Sequence, residues 1–276
     1  MKDIAWSSEE LDEFNMGLVR AHHFGTGTAF PPSVVRKAIA IRINTILTGQ
    51  VGCTTGLVDA YLDLLRTNVI PVVRRTGSIG CADIGLMGQI GAVLTGVGEA
   101  MYQGERMPAA DALAAAGLKA HRMAPRDALA SLSANAVSFA AAARALRDAA
   151  SVIRVMLATS LTASGALGAS ADPWLAACHV GTPREALVGK WYCDAAASWQ
   201  GPVSTHVQDP LSLRMVAQVF GTIIESLLGA GYKILQATGR SDDNPVVVEG
   251  RVVTSGGSLP LDVTVLLESV SVCMAH

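Results

Sequence analysis

Apolar residues in the first quarter of the chain recur at the spacing of amphipathic helices. Within residues 34–47 they fall three or four positions apart, which predicts a helix that begins after two prolines and ends before Gly49. A second apolar run after Thr55 predicts another helix. Residues 67–73 include a proline and predict an extended connector, because residues before proline avoid the helical conformation. The apolar row of the first helix consists of Val35, Ile39, Ile43 and Ile46.

Hydrophobic patterning over the rest of the chain predicts longer helices. They cover residues 125–163, residues 209–237, and the chain from residue 260 toward the C-terminus. A short alternation at residues 246–253 predicts a β-hairpin, and no other stretch alternates like a strand. The pattern therefore predicts a mostly α fold, a bundle of long helices whose connecting loops carry the functional residues.

The composition is that of a folded chain with a large apolar core. Half of the 276 residues are hydrophobic, 16% are charged, and the mean hydropathy is +0.38. Two apolar stretches, Ile84–Gly98 and Val155–Ala171, approach the length of about 20 residues that a membrane span needs. Their glycine, serine and threonine content favours helices buried among other helices. The N-terminus does not resemble a secretory signal, so we expect a cytoplasmic protein outside the membrane.

Charge and cysteine content argue against several classes of function. The net charge is −2 and the longest basic run is the pair Arg74-Arg75, so the sequence offers no footprint for nucleic acid. The five cysteines are odd in number, widely spaced and outside any Cys-x-x-Cys arrangement. This pattern argues against a disulfide framework or a zinc site. A small-molecule ligand or a protein partner is therefore the expectation.

One continuous segment carries the clearest motif. Residues 77–87 read Gly-Ser-Ile-Gly-Cys-Ala-Asp-Ile-Gly-Leu-Met, and residues 96–100 read Gly-Val-Gly-Glu-Ala. This arrangement resembles the active-site segment of the aromatic amino acid lyases, the family of histidine, phenylalanine and tyrosine ammonia-lyases. The resemblance implies one helical lyase-like domain over residues 1–276, truncated at both ends, with active-site loops in 1–124 and long central helices in 125–276. Further matches in family order are Ala21–Gly27, Arg42–Asn44, Gly49–Gly52, Gln208–Arg214 and Ser241–Pro245.

The segment lacks the residues that form the family's electrophile. In the family, an Ala-Ser-Gly triplet cyclises into a methylidene-imidazolone group, whereas here only Cys81 and Ala82 stand between Gly80 and Asp83. The resemblance therefore implies a family member without this prosthetic group. An ammonia-lyase with a cysteine-derived electrophile is an alternative. Cys81 is interpreted as a precursor, nucleophile or substrate contact, or as a small buried side chain, which is common for free cysteine.

The resemblance assigns roles to individual residues. Arg214 stands where the family's arginine pairs with the substrate carboxylate, which suits a planar guanidinium, and an ion pair at a helix start is the alternative. His22 matches a histidine of the substrate pocket, where it contacts the substrate ring, or else it orders a loop. Asn244 is expected beside the substrate or in a turn. The residues implied in substrate binding are Gln208, Asn244, Cys81 and Asp83.

Further departures from the family pattern cluster where the electrophile would lie. The family's Asn-Gly-Thr segment aligns with residues 133–135, so its asparagine is either replaced by Ser133 or displaced to Asn135. The N-terminal tyrosine loop that supplies the family's base has no match, and we expect the base from a neighbouring subunit or another segment. Residues 80–83 and 133–136 resemble ergothionase-type variants, which release trimethylamine from a histidine betaine. The catalytic candidates are Arg214, His22, Ser133 and Asn135.

Two hypotheses from different classes follow. The first is a carbon–nitrogen lyase that eliminates ammonia or trimethylamine from an aromatic or imidazole amino acid or its betaine, with neither a methylidene-imidazolone group nor a metal. The second is a non-catalytic or partner-dependent subunit, or a decayed paralogue of an ammonia-lyase, because apolar helix faces such as that of residues 263–267 need a covering chain. The long apolar helices predict a homotetramer or an assembly with a complementary chain.

Overall fold

The computed structural model describes residues 6–275, and most of them are helical, which confirms the mostly α fold. The helices are α1 (Ser8–Ala21), α2 (Pro32–Ile46), α3 (Thr55–Thr67), α4 (Ile84–Leu94), α5 (Ala109–Ala115), α6 (Asp127–Leu132), α7 (Ala136–Ala166), α8 (Asp172–Val180), α9 (Pro183–Ala196), α10 (Leu211–Arg214), α11 (Val216–Thr238) and α12 (Leu261–Met274). The strands are β1 (Thr26–Ala29), β2 (Ile70–Pro71), β3 (Arg74–Thr76), β4 (Glu99–Tyr102), β5 (Glu105–Pro108), β6 (Val246–Val248) and β7 (Arg251–Val253).

The chain divides into two compact units, each with its own apolar core. The first unit contains the chain up to Ala142 and the segment Ile234–Pro260. The second contains Ala143–Lys233 and the chain from Leu261 onward. Helix α7 continues from one unit into the next, and the subdivision expected at residue 125 stays a prediction. That the whole chain acts as one lyase-like domain stays a prediction.

The core of the first unit is built on α2, α3 and α4. The predicted apolar row of α2 is buried along its whole length, and Gly49 follows that helix with a φ of +80°, the left-handed conformation that glycine adopts readily. The predicted helix after Thr55 is α3, and the Thr54 side chain caps it by accepting the Leu57 N–H. Every residue from Gly85 to Leu94 is buried, which confirms a core helix over most of the first apolar stretch, whereas residues 95–98 are half-buried and not helical.

Short paired strands in the first unit depart from the sequence prediction. Strands β2, β4 and β5 form an antiparallel sheet in that order, and β1 pairs with β3. Strands β6 and β7 form the predicted hairpin, with Val246 opposite Val253. The prediction that no other stretch is a strand was wrong. Each of these strands has four residues or fewer, which is too short to show an alternation in the sequence.

The second unit packs α8 against α9 around Trp174, which is fully buried. A capping box between Thr182 and Glu185 begins α9. Two predicted long helices are interrupted: residues 133–135 separate α6 from α7, and Met215 separates α10 from α11. Other buried members of this core are Ile153, Val188, Tyr192, Phe220 and Ile223.

The long helix α7 exposes much of its apolar surface in the second unit. Between Val155 and Ala171 only Ser164 and Gly168 are buried within the described chain, so the expectation that this stretch is surrounded by other helices stays a prediction. The stretch Asp127–Ala166 is long and apolar enough to cross a membrane by length and composition alone, a test that core helices of soluble proteins also pass. A cytoplasmic location stays a prediction.

Candidate functional site

The turn between β3 and α4 forms one wall of a small cavity. Residues of the segment Gly77–Gly85 line it together with His22 and Phe24, and its volume is about 170 Å³. Cys81 is exposed in this turn, whereas Ala82 is 2% exposed. The interpretation of Cys81 as a small buried side chain was therefore wrong, because the turn directs the neighbouring methyl group into the core. The thiol is left accessible at the mouth of the cavity.

Backbone hydrogen bonds hold the turn in an unusual conformation. Ala82 has a φ of +52°, which costs a non-glycine residue about 1 kcal/mol. Its N–H donates to the Ser258 carbonyl at 2.7 Å, and the next N–H, of Asp83, donates to the Ala134 carbonyl at 2.8 Å. These two contacts tie the turn to segments that are distant in sequence, and they fix the position of Cys81 beside the cavity.

His22 lies just after α1 with a defined tautomer. Its Nδ1 is 2.8 Å from the Leu18 carbonyl oxygen. Because a carbonyl only accepts, Nδ1 carries the hydrogen, and the neutral ring keeps an unprotonated Nε2. The ring is half-buried and lines the same cavity as Cys81. His22 is therefore equipped to accept a hydrogen bond from a ligand at Nε2.

Asp83 lies behind the turn and caps the first turn of α7. The side chain is buried, and its two oxygens accept the N–H and the hydroxyl of Ser138, each at 2.6 Å. Burial raises the pKa of Asp83 to about 6, against the opposing effect of the Ser138 donors, and the nearby Asp242 raises it further. Asp83 thus holds the turn against α7, and it is not exposed for direct contact with a ligand.

We expect the stability of the first unit to fall between about pH 4 and pH 6 because of Asp83. The folded state binds this proton more tightly than the unfolded chain, so the free energy of unfolding is greatest at the acidic end. It decreases by about 3 kcal/mol at most as the pH rises through 6. Asp83→Asn is expected to remove this decrease, measured by urea unfolding at several pH values. The exposed Asp111→Asn serves as control and keeps the wild-type profile. An unchanged profile in Asp83→Asn contradicts the assignment.

Asn135 joins the start of α7 to the loop before β6. Its N–H and its Nδ2 donate to Oδ2 of Asp242 at 2.6 and 2.8 Å. The Oδ1 of Asp242 is buried and has no hydrogen-bond partner within residues 6–275. Burial raises the pKa of Asp242, against the hydrogen bonds from Asn135. Asn135 is 2% exposed, so the described structure commits its side chain to this carboxylate.

Ser133 and Asn244 pair with each other in the same region. The Asn244 N–H donates to Oγ of Ser133 at 3.2 Å. The Asn244 side-chain oxygen accepts the Ser255 N–H at 3.0 Å, so its contacts are those of a turn residue. Catalytic roles for Ser133 and Asn135 stay predictions, because both side chains are buried and engaged in these contacts.

A larger cavity of about 670 Å³ lies in the second unit and contains Arg214. Its walls come from residues 168–173 and from the loop 199–209, including the exposed Gln208. Arg214 is half-buried, and its Nε is buried without a hydrogen-bond partner in the described part of the chain. No carboxylate lies within 4 Å of its guanidinium among residues 6–275. An internal ion pair therefore does not account for this arginine.

Comparison with known proteins identifies the family. The family model described as aromatic amino acid lyase matches residues 1–276. The chain belongs to the aromatic amino acid lyase family. It is 31% identical to the histidine ammonia-lyase of Paracidovorax citrulli over 90% of this chain and 50% of the relative. It is 32% identical to that of Aromatoleum aromaticum over 91% of this chain and 49% of the relative. The chain thus spans about half the length of the curated relatives it matches.

A solved structure shows the same fold for the lyase chain. The ergothionase of Treponema denticola, in complex with desmethyl-ergothioneine sulfonic acid, superposes with a TM-score of 0.91 at 23% identity. The match covers all of this chain and 57% of the ergothionase chain. Together with the family match, it confirms the helical lyase-type fold that the residues of the Gly77 turn implied.

The lyase fold also uses residues that the sequence analysis did not single out. Asp242 fixes Asn135, and Asp209 fixes the loop before Arg214 through Ser170 and Ser204. Both carboxylates lie inside matched segments, but no spacing in the sequence indicates partners 107 and 39 residues away. The only sign of these two carboxylates in the sequence was their position close to residues that already had an assigned role. The candidates of the first unit are His22, Cys81, Asp83, Ser133, Asn135 and Asn244, and those of the second are Gln208 and Arg214.

Proposed function

We propose that this chain belongs to a carbon–nitrogen lyase that acts on an imidazole-bearing or aromatic amino acid or its betaine. It releases ammonia or, as the form we favour, trimethylamine. The observation that carries the proposal is the turn Gly77–Asp83, which lines a cavity and contains only Cys81 and Ala82 where the resemblance leads us to expect a cyclising triplet.

Two observations support an elimination without methylidene-imidazolone. In the family a serine stands between the two residues whose backbone condenses to form that group, and the two residues between Gly80 and Asp83 include no serine. The N–H of Ala82 is also engaged with the Ser258 carbonyl. The residues of this turn therefore do not fit the group, and no step of the proposed reaction involves it.

A quaternary amine makes such an elimination chemically reasonable. A base removes a proton from the carbon β to the carboxylate. The electron pair of that C–H bond forms the new carbon–carbon double bond. The C–N bond breaks, and neutral trimethylamine leaves with that electron pair. The leaving group needs no activation because its nitrogen already carries a full positive charge. Orientation of the substrate and a positioned base are then the main requirements.

In this proposal Arg214 and His22 each provide one ligand contact, Arg214 in the cavity of the second unit and His22 in the cavity of the first. The guanidinium of Arg214, which pairs with no carboxylate among residues 6–275, binds the substrate carboxylate through two parallel hydrogen bonds. Nε2 of His22, left unprotonated by the Leu18 contact, accepts a hydrogen bond from a ring N–H of the substrate. The base comes from a neighbouring subunit or from another segment, as the resemblance leads us to expect.

The assembly is proposed to be a homotetramer or a pairing with a complementary chain. Apolar side chains of the second unit are left exposed along α7, α11 and α12, and larger patches of this kind mark association surfaces. In α12, Val263 is buried and Val265 is 49% exposed. The apolar face of residues 263–267, which we expected to need a covering chain, is therefore only partly buried within this chain. Exposed members of this set are Val152, Val155, Leu228, Val265 and Val272.

Substrate turnover by the purified protein tests the proposed function. Histidine, phenylalanine, tyrosine and ergothioneine are offered in turn, and formation of a conjugated acrylate is followed by near-ultraviolet absorbance. We expect product from ergothioneine alone, because only its amine leaves without an electrophile. His22→Leu is expected to lower kcat/KM about tenfold through the lost hydrogen bond, and the exposed neighbour His23→Gln leaves it unchanged. Light scattering on the same sample reports the assembly.

Other outcomes of this experiment contradict the proposal in distinct ways. Turnover of histidine or phenylalanine shows that an electrophile forms and favours a cysteine-derived group at Cys81. No product from any of the four, alone or with a co-expressed complementary chain, favours a non-catalytic subunit. The exposed apolar helix faces are the observation that makes this second function a candidate.

A further inference from the structure

Asp209 connects both walls of the cavity that contains Arg214. Its side chain is 7% exposed; Oδ2 accepts the Ser170 N–H at 2.7 Å and Oδ1 accepts the Ser204 hydroxyl at 2.5 Å. The Ser204 N–H in turn donates to the Gly168 carbonyl at 2.7 Å. One carboxylate therefore ties the loop after α7 to the loop before α10. Arg214 follows Asp209 by five residues, so this tie fixes the start of the segment that carries the guanidinium.

Trp174 fixes the same segment from the other side. It is fully buried, and its Nε1–H donates to the carbonyl of Leu213 at 2.9 Å. The indole ring is itself held between Tyr192 and Trp199, with ring centroids 5.0 and 5.8 Å away. Leu213 immediately precedes Arg214. The backbone is therefore anchored on a rigid aromatic cluster one residue before the arginine.

The guanidinium of Arg214 has no comparable anchor of its own. Its Nε is buried without a hydrogen-bond partner, and no carboxylate pairs with it in the described part of the chain. Its position thus depends on the backbone that carries it. A long, flexible side chain binds a carboxylate through two bonds only when its base is fixed, because each free rotamer adds an entropy cost on binding.

We propose that Asp209 and Trp174 are positioning residues that hold Arg214 for a carboxylate ligand. The inference rests on the proposed role of Arg214 and extends it to residues that touch no substrate. Charge alone predicts the opposite effect for Asp209, since a carboxylate near Arg214 repels an anionic ligand. The hydrogen bonds from Ser204 and Ser170 lower the pKa of Asp209, so this negative charge is present at neutral pH.

The electrostatic role and the positioning role of Asp209 predict opposite changes in anion affinity, so one substitution distinguishes them. Asp209→Asn removes the negative charge and, at the same time, one of the two acceptors that tie the loops. A purely electrostatic role predicts tighter binding of an anion, whereas a positioning role predicts weaker binding. Asp172→Asn is the matched control, because Asp172 is exposed at the same cavity and makes no contact with the carboxylate of Asp209.

Calorimetric binding of trans-urocanate to the full protein provides the first measurement. Asp209→Asn and Trp174→Phe are each expected to weaken binding about tenfold, and Ser204→Ala, a milder change to the same tie, about threefold. Binding of the uncharged methyl ester is expected to change less than twofold in all three. Asp172→Asn is expected to leave urocanate binding unchanged or slightly tighter. A merely structural role lowers the affinity for both ligands alike.

Nuclear magnetic resonance of the Arg214 Nε–H in the ligand-free protein provides the second measurement. Its order parameter is expected to fall in Asp209→Asn and Trp174→Phe and to stay unchanged in Asp172→Asn. Unchanged order in the first two variants, or tighter urocanate binding by Asp209→Asn, overturns the proposal. If the wild type binds no urocanate, the proposed role of Arg214 fails, and the order parameter alone still decides whether Asp209 and Trp174 position it.

Discussion

Asp243→Ala is expected to lower the free energy of unfolding of the first unit by about 3–5 kcal/mol. Arg42 is fully buried and binds both oxygens of Asp243, at 2.7 and 2.8 Å. Removal of the carboxylate leaves an uncompensated guanidinium in the core, where its hydration cannot be recovered. The pair also joins α2 to the loop before β6, which are 201 residues apart in the sequence. This is the largest stability effect that we expect from a single substitution.

Hydrogen exchange at the amides of α2 in increasing denaturant measures this effect. Of the four tryptophans, Trp174, Trp191 and Trp199 lie in the second unit, so their fluorescence reports mainly on that unit. The control is Asp63→Ala, which breaks an exposed pair with Arg66 and is expected to cost less than about 1 kcal/mol.

The double variant Arg42→Met/Asp243→Leu separates burial of the charge from loss of the contact. Because it removes both charges, it is expected to be more stable than Asp243→Ala. A loss below about 1 kcal/mol for Asp243→Ala contradicts the expectation, because the buried guanidinium then has another source of compensation.

The helices could be predicted where local signals and tertiary packing agree. In α2 the apolar row, the preceding prolines and the following Gly49 all indicate a helix with the same start and end. The helix expected from residue 125 to residue 163 fails at one place. Asn135, just before α7, binds Asp242 through its N–H and its side chain, and this contact takes the Asn135 N–H out of helical hydrogen bonding. The periodicity of a sequence carries no information about a partner 107 residues away.

The candidate site was predictable as a list of segments and not as a set of contacts. The Gly77 turn, His22 and Arg214 were each identified from a motif that resembles the family. The exposure of Cys81 was not predictable, because it depends on the left-handed conformation of Ala82 and on a hydrogen bond from Ala82 to Ser258. The capping of α7 by Asp83 was not predictable either, because its partner Ser138 lies 55 residues away in the sequence.

Arg214→Gln is expected to weaken binding of a carboxylate ligand such as trans-urocanate about a hundredfold, or ~3 kcal/mol. The guanidinium is half-buried at a cavity of about 670 Å³, and no carboxylate of residues 6–275 lies within 4 Å of it. Arg214→Lys keeps the charge and loses the paired hydrogen bonds, so a loss of about tenfold is expected. Isothermal calorimetry on the full protein measures both. Arg184→Gln is the control, because Arg184 pairs with Glu225 on an exposed surface of the same unit.

The kinetics of the same variants distinguish two uses of this contact. If the arginine binds substrate and transition state equally, Arg214→Lys raises KM for the quaternary amine and leaves kcat unchanged. If the contact also aligns the β carbon with the base, kcat falls as well, because a small displacement of the substrate separates the reacting atoms. Unchanged urocanate affinity in Arg214→Gln contradicts both uses. Carboxylate recognition must then come from a residue other than Arg214, and the unpartnered Nε has a different explanation.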